Sequence, residues 1–223
     1  MQLRFIGSIV PKVTLTFDNG PEPKITQQVL DTLARYNLRV TFFVVGQKLA
    51  NPGGWATASR AAELGHWIGN HPYTHRIPLG NLTGPTVAED EIGRTQELMG
   101  PLAHPDKLFR PFGGGGAIGQ HLLSRSCYEF LQAGGYTCVL WNSVPRDWED
   151  PDGWVERALD DCQTQEWTLF VLHDLDTGAM KQLDGFIQRL LAQRIEIVQN
   201  FPPDCVPMQA GKVVLPMKDY VNN

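Results

Sequence analysis

Three features of the sequence predict an α/β fold. Short runs rich in β-branched and aromatic residues alternate with segments of helical period about seven times along the chain, and helices between strands imply parallel pairing. Runs such as VTFFVV and TLFVL are apolar at consecutive positions, as in a parallel strand covered on both faces. No internal repeat or linker divides the chain, and the one low-complexity tract is GGGG at 113–116.

The elements follow in order. VTLTF (13–17) reads as a strand; Ile25, Val29, Leu30, Leu33 and Tyr36 then recur at helical spacing over 24–36, with Asn37 as the C-cap. VTFFVVG (40–46) precedes a helix over 55–64, and HWIGN (66–70) precedes one over 86–99. KLFR (107–110) leads to a helix over 118–132, YTCVLW (136–141) to one over 153–162, and TLFVLHD (168–174) to one over 180–192. IEIVQN (195–200) is the last strand before a Pro-rich tail. An open doubly wound sheet and a closed or partly closed (β/α) barrel both fit this order, and both place ligands at the C-terminal ends of the strands.

The 223 residues suffice for one sizeable core, so the expected organisation is a single domain over 1–223 with a Pro-rich C-terminal extension from about 201. Nineteen Lys and Arg against 24 Asp and Glu give a net charge of -5, which offers no basic surface for phosphates and argues against a nucleic-acid partner. No apolar run approaches the ~20 residues of a membrane span, so no membrane partner is expected. MQLRFIGSIV lacks the regions of a secretory signal, which points to the cytoplasm. Cys127, Cys138, Cys162 and Cys205 form no CxxC pair and read as buried thiols. Gly114, Gly116 and Gly119 spell a GxGxxG pattern, but no acidic residue ends the next strand to hold a ribose, so the run reads as a loop beside the site.

The strand-end rule collects Asp18 and Asn19, His71 and His75, Arg110, Asp147 and Trp148, and His173 and Asp174 on one rim. A lone strand-end Asp is commonly a helix cap; five such placements together indicate chemistry. His71 and His75 are four residues apart, and Pro72 suits a first helical position, so the spacing predicts His71 at an N-cap and His75 one turn later, both rings able to grip a metal. No Glu follows His71, so this is not an HExxH helix.

TFDNGP (16–21), HPYTH (71–75), RPFG (110–113), RDW (146–148) and VLH (171–173), in this order, resemble the five motifs of the polysaccharide deacetylases, also called the NodB-homology domain or carbohydrate esterase family four. The resemblance implies a distorted, TIM-barrel-like (β/α) barrel of about seven parallel strands and metal-assisted hydrolysis of an acetamide or acetate ester on a sugar. It makes Asp18 the general base, and His71, His75 and Asn19 the ligands of a divalent cation, with zinc the leading candidate. Arg110 would hold the base, Asp147 would tune His173 or Arg110, and His173 would be the general acid. Phe112, Trp148, Leu172 and Tyr73 would contact substrate, with the Phe112 N–H at the oxyanion and Leu172 at the acetyl methyl.

Asn19 stands where the family pattern has a second aspartate, RPFGGGG is one residue short of the usual third motif, and Pro72 stands where Ser or Thr is frequent. An amide oxygen can coordinate a cation but brings no charge. Three readings stay open: a metal-dependent deacetylase of an N-acetylated glycan or oligosaccharide, a metal-independent, allantoinase-like hydrolase of a small amide, and a glycan-binding domain without catalysis. The oligomeric state is not legible.

Overall fold

A computed structural model describes residues 10–222, so the reading of the N-terminus falls outside it except for Val10. In chain order the elements are β1 (Lys12–Asp18), α1 (Pro23–Arg35), β2 (Thr41–Val45), α2 (Gly46–Ala50), α3 (Gly54–Glu63), β3 (Trp67–His71), α4 (Arg94–Met99), β4 (Leu108–Phe109), β5 (Leu123–Ser124) and α5 (Arg125–Ala133). They continue with β6 (Thr137–Cys138), α6 (Trp154–Thr164), β7 (Trp167–His173), α7 (Leu183–Ala192), β8 (Glu196–Val198), β9 (Met208–Gln209), β10 (Lys212–Val213) and β11 (Val221–Asn222).

The main sheet runs β10-β9-β6-β4-β3-β2-β1-β7, with the stretch from β6 to β7 entirely parallel. An isolated parallel bridge between Ser143 and Phe170 joins the chain beyond β6 to β7 and curls the sheet into a distorted barrel. β8 is also parallel, pairing Lys12–Thr14, while β2 pairs Thr16–Asp18, so β1 exchanges one neighbour for another along its length. The parallel barrel is therefore the α/β solution expected, with an antiparallel β9–β10 pair added at the β6 edge.

Alternation along β1 organises the interior. Val13, Leu15 and Phe17 pack with Phe170, Leu172 and the apolar stripes of α1, α6 and α7, whereas Thr14, Thr16 and Asp18 face the opposite way. A second buried cluster holds Phe43, Phe109, Leu140, Trp141, Val171 and residues of the tail, including Cys205, Met208, Met217 and Val221. The Pro-rich tail thus packs on the chain itself, with β11 beside β5.

Several elements differ from their expected extents. The helix expected over 118–132 is confined to α5, because Leu123–Ser124 pairs with β11 instead. The expected 86–99 helix carries a π turn at Glu89–Gly93 ahead of α4. β6 ends at Cys138 instead of reaching Trp141: the next rung from β4 would need the N–H of residue 111, which is a proline, and the carbonyls of Val139 and Leu140 accept from the Arg110 guanidinium instead. Asn37 adopts φ 52 just beyond α1, in the left-handed conformation suited to a helix end.

Candidate active site

Three strands, β1, β3 and β7, deliver their last residues to one rim, and Arg110 follows directly on β4. Asp18 is directly across the ladder from His173, and Val45 from His71. A cavity of about 300 Å3 opens there, bounded by Asp18, Asn19, His71, His75 and His173 among its polar groups. Its apolar walls include Phe112, Trp141, Val144, Trp148, Val171 and Leu175, and the Gly113–Gly116 backbone closes one side.

Arg110 organises one half of the site from beneath. Its side chain is fully buried and donates to Asp18 Oδ1 at 2.9 Å, to Thr16 Oγ1, and to the carbonyl oxygens of Val139 and Leu140, both at 3.2 Å. A guanidinium has no acceptors and a fixed fork of donors, so it can satisfy several buried oxygens at once and hold the neighbouring carboxylate as an acceptor. Its plane lies over the Phe43 ring at 4.1 Å.

Asp147 makes the second pair, and it serves His173, not Arg110. One oxygen accepts from the His173 main-chain N–H and the other contacts Nδ1, both at 2.8 Å, with Asp147 fully buried. Burial pushes His173 toward neutrality, but the hydrogen bond and charge of Asp147, with Asp18 and Asp174 beyond, outweigh it and raise the imidazole pKa above its ordinary 6.5. Engaging Nδ1 leaves Nε2 for the cavity, and Trp148 meets the ring edge-on at 4.7 Å.

The other two imidazoles are neutral. His71 Nδ1 lies 2.7 Å from the Arg110 carbonyl oxygen, which can only accept; Nδ1 is thus the protonated nitrogen and Nε2 keeps its lone pair. Burial is the main cause that lowers both His71 and His75 to about 3. Their ring centroids are 4.8 Å apart. No helix brings them together, contrary to expectation: His71 ends β3, and the chain turns irregularly to a left-handed His75 at φ 50. Pro72 therefore begins a turn, not a helix.

Asn19 lines the same cavity in a left-handed conformation, φ 71, and its buried Oδ1 has no hydrogen-bond partner. Two neutral imidazoles and an orphaned amide oxygen suit a divalent cation that accepts nitrogen and oxygen ligands. Among the described residues no group of three or more His, Cys, Asp and Glu side chains is disposed to bind a metal, so any such ion would depend on Asn19.

Phe112 lies in the cavity wall with its ring 3.9 Å from that of His75. Among the described hydrogen bonds its main-chain N–H has no acceptor. Gly114, Gly115 and Gly116 all have positive φ, a conformation that a run of side chains would resist, and a Cβ on Gly116 would sit 2.8 Å from Val144. This packing explains the GGGG tract and leaves no dinucleotide-binding helix, since the next α-helix starts only at Arg125.

Two expected substrate contacts fall elsewhere. Leu172 points into the helix-covered core, while Val171, one residue earlier, faces the cavity with His173. Tyr73 is buried beneath the Arg94 guanidinium, 3.8 Å from its ring, and is absent from the cavity wall. Residue-by-residue alternation from His173 identifies Val171, and the same count from Asp18 identifies Thr16. Trp141 and Val144, in contrast, enter the wall from the irregular chain beyond β6, where the period-2 count gives no guide.

Fold and cavity together define the class: a distorted (β/α) barrel with two buried acid–base pairs and two neutral imidazoles at its C-terminal rim. Residues 9–123 match the polysaccharide deacetylase family model, and the chain belongs to that family. It is 33% identical over 170 residues to a chitooligosaccharide deacetylase of Rhizobium leguminosarum bv. trifolii, covering 75% of this chain and 74% of that one. Similarity to the peptidoglycan-N-acetylmuramic acid deacetylase PdaC of Bacillus subtilis is 28% over 83% of this chain, which spans only 37% of PdaC. Among solved structures, a family 4 acetyl xylan esterase from Clostridium thermocellum in complex with a cobalt ion superposes with a TM-score of 0.67 at 28% identity, covering 84% of this chain and 87% of that one. No helix among the described residues is long and apolar enough to cross a membrane.

Proposed function

We propose that this chain hydrolyses the acetamide of an N-acetylated glycan or oligosaccharide, releasing acetate and a free amine. The observation that carries this reading is the placement of Asp18 and His173 on paired strand ends, each with its own buried partner, facing a cavity shared with His71, His75 and Asn19.

Asp18 takes the proton of the attacking water, its carboxylate oriented by the Arg110 guanidinium at Oδ1. His173, cationic through Asp147, delivers its Nε2 proton to the departing nitrogen, so the C–N bond breaks to a neutral amine and not an amide anion. The unpaired Phe112 N–H is available to the oxygen on which charge develops. Val171 and Trp141 wall the acyl group, and Trp148 offers an aromatic face to the sugar. A divalent cation held by His71 Nε2, His75 and Asn19 Oδ1 would polarise the acyl oxygen and acidify the water. The names of the relatives, which are chitooligosaccharide and peptidoglycan deacetylases, and the cobalt held by the esterase support this substrate class and cofactor.

A second reading has a specific observation behind it. With a neutral amide at Asn19, the same acid–base groups suit metal-independent hydrolysis of a small amide. Elemental analysis of the purified protein, with acetate release from N-acetylchitooligosaccharides before and after chelation, separates the two. We expect near-stoichiometric divalent metal and chelator-sensitive release. Chelator-resistant hydrolysis would transfer the assignment to the second reading, and no release with added zinc, cobalt, nickel or manganese would overturn the first.

A further inference from the structure

Over residues 72–78 the chain that follows β3 and carries His75 has no regular secondary structure; a 3-10 turn comes only later, at Leu79–Asn81. Something else must define its path, because a non-glycine residue at φ 50 is in a conformation that an unrestrained chain seldom adopts. Pro72 has no N–H with which to tie the loop back. The ties come from the helix across from it.

The Glu89–Gly93 π turn interrupts the ordinary hydrogen-bond ladder and turns main-chain carbonyls sideways. That of Glu91 accepts from the Tyr73 N–H at 2.8 Å, and that of Ile92 from the Asn70 side chain at 2.9 Å. The Glu91 side chain, 8% exposed, reaches the same loop: one oxygen accepts from the Thr74 N–H at 2.9 Å and the other from Thr74 Oγ1 at 2.7 Å. Arg94, in the following turn, covers the Tyr73 ring, and the Tyr73 carbonyl accepts from Gln47 N at 3.0 Å. Every polar main-chain group of Tyr73, and both donors of Thr74, are thus engaged immediately before His75, whose own ring makes no hydrogen bond among the described residues.

We propose that Glu91 is a positioning residue for His75: from the π turn it holds Tyr73 and Thr74 through three hydrogen bonds and so fixes the left-handed turn that brings the His75 ring beside His71. This rests on the reading of His71 and His75 as a ligand pair. It also gives the π turn a purpose, because a regular helix would keep the Glu91 carbonyl for itself.

The test uses the full chain with Glu91→Ala, Glu91→Gln and Thr74→Val. In the metal-free protein the His75 imidazole resonances, followed by 1H–15N NMR, should be single in the unaltered chain, broadened or split in Glu91→Ala, and largely restored in Glu91→Gln, which keeps one acceptor. Those of His66, held against Val40 on the far side of β2, should not move. Cobalt affinity by calorimetry should fall about tenfold to a hundredfold in Glu91→Ala, as for other partners that orient a ligand, and less in the other two. Acetate release by Glu91→Ala should recover at saturating cobalt, which a general loss of structure would not allow. Unchanged His75 resonances together with unchanged cobalt affinity in Glu91→Ala would overturn the proposal. Should Glu91→Ala fail to fold, seen as altered His66 resonances, Glu91→Gln and Thr74→Val carry the same comparison. If the unaltered chain binds no cobalt, the metal reading above fails, while the His75 resonances still decide the role of Glu91.

Discussion

The two halves of the cavity are built on opposite terms. On the acid–base side, Asp18 and His173 each have a dedicated buried partner, and Arg110 also consumes the carbonyls around it. On the other side, Asn19 Oδ1 is buried without a partner and the imidazoles of His71 and His75 are held neutral. One half has its charges neutralised internally; the other presents uncommitted lone pairs. The first half can therefore be preorganised by the protein alone, whereas the second leaves acceptors for which the protein itself supplies no donor.

Breaking the first half should have the largest effect. Arg110→Met leaves the Asp18 carboxylate and two carbonyls buried without donors, and should cost about 3–5 kcal/mol in urea denaturation, in addition to abolishing turnover. Loss of a pair at Asp147 is subtler. Asp147→Asn removes the charge that raises His173, so the alkaline limb of the rate profile should move to lower pH and the rate at neutral pH should fall about 10- to 100-fold. The stability linkage has a definite sign: because the folded imidazole pKa lies above the ordinary 6.5, the pair stabilises the protein fully below that value and ceases to do so as pH rises through the folded pKa. Thermal melts across neutral pH should show that loss in the unaltered chain and not in Asp147→Asn. Sharpening the second half should give the smallest change. Asn19→Asp adds a charged oxygen where the amide is unpaired and should tighten cobalt binding about tenfold by calorimetry, with little change in melting temperature of the metal-free protein.

Much of this was legible in the sequence, and the reasons are local. β2 and β7 are continuous apolar runs, α1 has a clear stripe, and Asp18, His71 and His173 follow directly from where their strands stop, whereas Asp147 lies nine residues beyond the end of β6. Departures arise where a distant residue takes over a main-chain group. β6 is short because Pro111 has no N–H for the next rung, and Arg110, 29 residues away from Val139, takes the carbonyl left over. Leu123 leaves a helical pattern to pair with Val221. The path from His71 to His75 is set by Glu91, and spacing alone cannot distinguish a turn so held from a helix. Leu172 is a different case: counting by two from His173 selects Val171, so strand geometry carried the answer that the motif comparison did not.

The bridge that closes the barrel has a consequence of its own. β1 and β7 share seven paired positions, but the seam between the chain beyond β6 and β7 rests on two main-chain bonds of Ser143 and on the Asn142 side chain. The Asn142 amide oxygen accepts from Leu169 N at 2.7 Å and its nitrogen donates to Trp167 O at 3.0 Å, copying the donor and acceptor of a peptide group. Elsewhere in the ring almost any residue but proline can maintain the ladder, since the bonds belong to the backbone. Here the rungs are shared between the Ser143 main chain and the Asn142 side chain, so part of the ring beside the cavity is open to substitution in a way that the backbone rungs are not.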